Sequence, residues 1–137
     1  MDWKECIGSG MAKEITPDKE MVNSLLSSAD KRIKSVNLLK TDNITANSKL
    51  SLAYDALREV LEALAIKQGY KVYNHECYTC FLRELLKASF EAEEFDSLRR
   101  TRNKINYYGK ELSINESDEL VKKIKSLRNN IIRNYKL

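Results

Sequence analysis

Apolar residues recur at intervals of three and four along most of this chain, and very little interrupts them. With 4 Gly and 1 Pro in 137 residues, the backbone has few places to turn sharply. Sparse punctuation and a helical period favour a few long elements over many short strands. One set is Val22, Leu25, Leu26, Ala29, Ile33, Val36 and Leu39. Another, with the widest apolar arc, is Leu50, Ala53, Tyr54, Leu57, Val60, Leu61, Leu64 and Ala65. Cys77, Tyr78, Phe81, Leu82, Leu85 and Leu86 form a third set, and Leu120, Ile124, Leu127, Ile131 and Tyr135 another. Nothing alternates with a period of two for more than a few residues, so no strand is expected. The fold class that follows is all-α, an antiparallel bundle of four to five helices.

Local signals divide the bundle. Residues 1–15 read as a lead-in, with Trp3, Cys6, Ile7 and Met11 on a short turn that packs back on the core and Gly8-Ser9-Gly10 ending it. A single domain then covers 16–137. Its first helix is expected to begin at Thr16-Pro17-Asp18, with Thr16 capping and Pro17 in the first turn. The second spans about Ser48 to Gln68 and stops at Gly69. Tyr70–Asn74 is a loop. The third runs from His75 to about Ser89 with Asn74 as cap, and the fourth from about Ala92 to Tyr108. Gly109 can adopt positive φ there and close it. Ser113-Ile114-Asn115-Glu116 has capping-box spacing and opens the fifth.

The fourth segment carries an anomaly. Phe95, Leu98, Arg102, Ile105 and Leu112 share one helical face, so Arg102 interrupts an apolar stripe. A charge there costs several kcal/mol unless it is paired or faces a groove. Glu59 or Glu62 on the second helix are candidate internal partners. The adjoining face carries Arg99, Asn103, Asn106, Tyr107 and Lys110, and Arg, Asn and Tyr interleaved in this way suit phosphate and base contacts. A formal charge of +4 is compatible with a phosphate-bearing partner and equally with an ordinary basic surface.

Other candidates are weaker. Cys77 and Cys80 stand three apart beside His75, yet a structural zinc needs four ligands, and Cys6 would be a distant recruit. The pair reads more simply as small apolar residues in a helix face. His75 is the only histidine and the obvious group for acid–base chemistry near neutral pH, though at a helix start it reads as a surface or capping-region residue. The acidic run Glu91, Glu93, Glu94 and Asp96 is what a helix N-terminus attracts. No metal or cofactor is expected. Three cysteines, with Asp2, Lys4 and Glu5 at the start in place of a leader, point to a reducing cytosol and a cytoplasmic protein. No apolar run is long enough to cross a bilayer.

Tyr54-Asp55-Ala56-Leu57-Arg58 and Gln68-Gly69-Tyr70-Lys71 resemble the second helix of HEPN domains, and His75 through Leu82 resembles their third. Arg102-Asn103 followed by an aromatic resembles the HEPN signature, in which Arg and a polar neighbour precede a His by four to six residues. The likeness spans about Thr16–Tyr135. It implies a helical bundle paired as a homodimer whose signature motifs face one cleft. In active members that cleft cuts RNA without a metal, the Arg steadying phosphate and the His moving protons. Many members are toxins paired with a nucleotidyltransferase antitoxin, and others only bind nucleotides or partners. This chain departs at the His, where Tyr107 or Tyr108 stands. Tyrosine, with a pKa near 10, is a poor base at neutral pH.

Two readings follow. The first is a HEPN-like homodimer that binds RNA or a nucleotide in the cleft, as a weak or inactive metal-independent endoribonuclease of a toxin–antitoxin pair. In it Arg102, Asn103 and Tyr107 hold the catalytic positions, and Arg99, Asn106 and Tyr108 bind. The second is a non-catalytic protein-interaction module that dimerises or docks a nucleotidyltransferase.

Overall fold

The computed structural model describes residues 1–137 as an all-α bundle with one minimal sheet. The elements are α1 (Trp3–Gly8), β1 (Ala12–Glu14), α2 (Lys19–Leu38), α3 (Ala46–Lys67), β2 (Tyr70–Val72), α4 (His75–Cys80), α5 (Ser89–Tyr108) and α6 (Ile114–Asn134). A wider π-type turn, Phe81–Leu85, continues α4. No helix is long and apolar enough to cross a membrane.

α3 is the axis of the bundle. Thirteen of its 22 residues are buried, which is why its apolar arc is the widest. α2 and α6 pack along it, and α5 closes the bundle with Phe95 and Leu98. The polar residues of α3 follow the sequence pattern less well. Glu59, a candidate internal partner for Arg102, is buried but meets the Arg32 Nε at 2.6 Å. Arg128 of α6 is also buried, with Asp30 of α2 at 3.8 Å.

Side-chain caps open four of the six helices. Asp18, rather than Thr16, caps α2, its carboxylate accepting from the Met21 amide at 3.0 Å. Asn74 caps α4 through the Glu76 amide. Ser113 and Glu116 form a complete capping box on α6. Gly109 ends α5 with φ 65°, the left-handed conformation anticipated for it. The expected third helix ends early, at the π-type turn, and α5 begins at Ser89, ahead of the expected Ala92.

The lead-in is part of the core. Trp3 packs edge-on against Tyr70, with ring centroids 5.3 Å apart, and against Phe81 at 5.6 Å. β1 and β2 pair antiparallel with Ala12 opposite Val72, so the expected loop at 70–74 contains a strand. Cys6 and Cys77 are joined by a disulfide across 71 residues, leaving Cys80 as a buried thiol. A reducing compartment does not favour such a bond.

At the far end of the bundle, the Asn47 side chain donates to the Lys110 carbonyl and accepts from the Leu112 amide, both at 2.9 Å. The Ser117 hydroxyl donates to the Ala46 carbonyl at 2.8 Å. These bonds fix the α5–α6 connection, and with it the direction of α5.

Candidate functional site

Arg102 faces inward from the middle of α5 and lands on the ring of Tyr54, with its guanidinium carbon 5.3 Å from the ring centroid. Its side chain is 22% exposed, so it lies at the edge of the core and not in it. Neither Glu59 nor Glu62 is its partner. Glu59 belongs to Arg32, and Glu62 takes Arg58 at 2.8 Å and also Lys71. Arg102 has one ion contact, Asp55 at 4.0 Å, the outer limit of such a pair. Its Nε is buried with no hydrogen-bond partner. A guanidinium carries five donors in a fixed fork, and here that fork is under-used.

Tyr54 links this arginine to the single histidine. Its hydroxyl and the His75 Nδ1 are 3.0 Å apart. Phe95 stacks on the Tyr54 ring at 5.8 Å and 19°, and Tyr78 sits against both Phe95 and His75. The Tyr54 ring is therefore a fixed plate with a cation on its face and an imidazole at its hydroxyl end. Burial drives the Tyr54 hydroxyl well above the usual phenol range, so it stays protonated and can donate to Nδ1. Burial first, and then the charges of Arg58 and Arg102, push His75 below the usual imidazole range. His75 is accordingly neutral at neutral pH.

The other charges nearby are largely committed. Arg99 donates twice to Asp96, at 3.1 and 2.9 Å, and Arg100 and Thr79 reach the same carboxylate. Burial would raise the Asp96 carboxyl, but these bonds and charges outweigh it and hold it below its usual range. Glu62 is likewise lowered against its burial by Lys71 and Arg58. Arg102 is thus the cation facing Tyr54 and His75 that has donors to spare.

The sequence-designated residues do not converge in one chain. α5 is unbroken from Ser89 to Tyr108, which leaves Arg102 and Tyr107 about 140° apart. Tyr107 and Tyr108 are 72% and 83% exposed near the helix end, Asn106 is exposed, and Asn103 is half-buried on the flank. Arg99 is held by Asp96, one turn before Arg102. The residues that do meet Arg102 are Tyr54 and Asp55, with His75 at the Tyr54 hydroxyl. The motif Tyr54-Asp55-Ala56-Leu57-Arg58 was visible in the sequence, but its proximity to Arg102 depends on how α3 and α5 cross.

No group of three or more His, Cys, Asp and Glu side chains is arranged to hold a metal ion. Cys77, a candidate ligand beside Cys80, is bonded to Cys6. Compared with protein-family models, curated proteins and solved structures, the chain finds no match.

Proposed function

We propose that this protein is a HEPN-like homodimer that binds the phosphate of RNA or of a nucleotide through Arg102, with weak or absent metal-independent ribonuclease activity. The observation that carries the reading is the under-paired Arg102, half-buried on Tyr54 with an orphaned Nε. A phosphate oxygen on the accessible side of the guanidinium would give this under-paired cation the counter-charge that the fold withholds. Asn103 extends the contact along α5, while Arg99, held by Asp96, adds positive charge beside it, and Asn106, Tyr107 and Tyr108 offer exposed amide and aromatic surface for bases or for the second protomer. Weak cleavage follows from the tyrosine at the signature position, since a well-matched acid–base group contributes ~10²–10⁴ in rate.

The test is incubation of the purified protein with total RNA in a chelator. Cleavage abolished by Arg102→Ala supports an enzyme. Salt-sensitive binding without cleavage, lost in the same variant, supports a binding protein. Unchanged RNA affinity in Arg102→Ala and Arg99→Ala refutes both.

A second reading is favoured by a different observation. Leu38, Ile44, Tyr107, Tyr108 and Ile114 are all exposed, and they lie around the α2–α3 and α5–α6 connections. Large apolar side chains gathered in this way suit a protein contact. In this reading the chain is a non-catalytic module that docks a partner there, a nucleotidyltransferase in the HEPN-like case. A nucleotidyltransferase gene beside this one, with binding abolished by Tyr107→Asp, would support it.

A further inference from the structure

We infer that His75 and Arg102, both seated on Tyr54, hold one phosphate group between them within a single protomer. This rests on the phosphate-binding reading of Arg102 and adds a residue that the α5 motif does not contain. It also replaces a site completed across a dimer with one that each chain completes alone.

The geometry supplies three parts of the argument. First, Arg102 and His75 approach the same ring, one over its face at 5.3 Å and the other at its hydroxyl at 3.0 Å. Their separation is set by one aromatic side chain. A phosphate accepts hydrogen bonds of about 2.8 Å on more than one edge, so two donors seated on one ring can share it. Second, the Tyr54 hydroxyl has no partner other than Nδ1, so the tautomer that satisfies its proton is the one in which it donates to Nδ1. With that hydroxyl donating to Nδ1, the neutral ring carries its proton on Nε2, which has no protein partner and is not enclosed. His75 therefore presents a donor outward, as Arg102 does. Third, the surrounding field is positive. Arg58 and Asp55 from α3 and Arg99 and Arg102 from α5 all act on His75. Arg58 and Arg99 remain cationic while bonded to Glu62 and Asp96, and Asp55 is the one carboxylate directed at Arg102.

Arg128 offers an internal comparison. It too is buried with an unpartnered Nε, and its carboxylate is 3.8 Å away. Its one ion contact is Asp30 and it sits over no aromatic ring, and it carries no site. The convergence of donors on Tyr54 is what distinguishes Arg102.

His75 is the only histidine, so its imidazole proton resonance can be followed by NMR without assignment ambiguity. The full chain is titrated from pH 5 to 8 in chloride at constant ionic strength, with and without inorganic phosphate or uridine 3′-monophosphate. A bound phosphate places negative charge beside the ring, and the His75 midpoint should rise by about one pH unit. The rise should vanish in Arg102→Met, and binding should saturate at one ligand per protomer. His75→Gln should weaken binding about tenfold while leaving the circular dichroism unchanged. Ligand binding that depends on Arg102 but leaves the His75 midpoint still overturns this inference and spares the Arg102 reading. A stoichiometry of one per dimer does the same. Absence of binding by either probe, together with RNA affinity indifferent to Arg102, overturns both.

Discussion

Arg102→Met separates the two roles an inward arginine can have. The substitution keeps the unbranched stem and removes the charge. On the debit side, the cation–π contact with Tyr54 contributes ~0.5–2 kcal/mol. The contact with Asp55, at 4.0 Å and with both side chains partly exposed, adds about 0–1 kcal/mol. On the other side, removing a buried donor that has no partner relieves ~1–3 kcal/mol. These terms nearly cancel, so the variant should unfold within about 1 kcal/mol of the parent, a shift of roughly 4 °C or less for a chain of this size. Thermal and urea denaturation, monitored by circular dichroism, give the number directly. A loss of about 3 kcal/mol or more would mean that Arg102 is a structural support whose charge the fold requires. The case for a ligand would then lose its footing. The expected result is a stable protein that no longer binds phosphate.

Other outcomes follow from the same structure. Reducing the Cys6–Cys77 disulfide opens a loop of 71 residues, and the chain-entropy model puts the loss at up to about 4 kcal/mol, measurable as a lower denaturation midpoint in reductant. Ser113→Ala removes one half of the α6 capping box and should cost about 1 kcal/mol in the same assay. Stability should also depend on pH through His75. Its folded pKa lies below the unfolded value of about 6.5, so between the two the unfolded chain binds more protons. Stability is therefore held above pH ~6.5 and lost as pH falls toward the folded midpoint. His75→Gln should flatten denaturation midpoints measured from pH 5 to 7. Losses from Glu62 and Asp96, whose carboxyls are lowered, should appear only in more acidic solution.

The helices were legible because their apolar residues are periodic and their ends carry local chemistry. Ser113 with Glu116, Asn74, and Gly109 are each signals confined to a few residues, and each holds. Where two local signals compete, as at Thr16 and Asp18, the sequence does not rank them. The carboxylate that reaches the Met21 amide decides the start of α2. The strands at 12–14 and 70–72 are three residues each, too short to show alternation, and they exist because they pair with each other. The Cys6–Cys77 bond is hidden for the same reason, since nothing local marks partners 71 residues apart. The partners of Glu59 and Arg128 were not legible, because a charged residue at the margin of an apolar face turns inward only where a neighbouring helix offers a countercharge. Arg102 was legible as an exception to its own stripe. Tyr54 and His75 were not legible as its neighbours, because their placement depends on how α3, α4 and α5 cross.

RNA affinity measured against salt, for the parent and for Arg102→Met, tests the central claim most directly. If Arg102 holds a phosphate, binding of a short single-stranded RNA should weaken about tenfold in the variant. The slope of log K against log salt should fall by about 0.7, the value for one lost phosphate contact. Equal affinities and equal slopes, from a variant that folds normally, would contradict it.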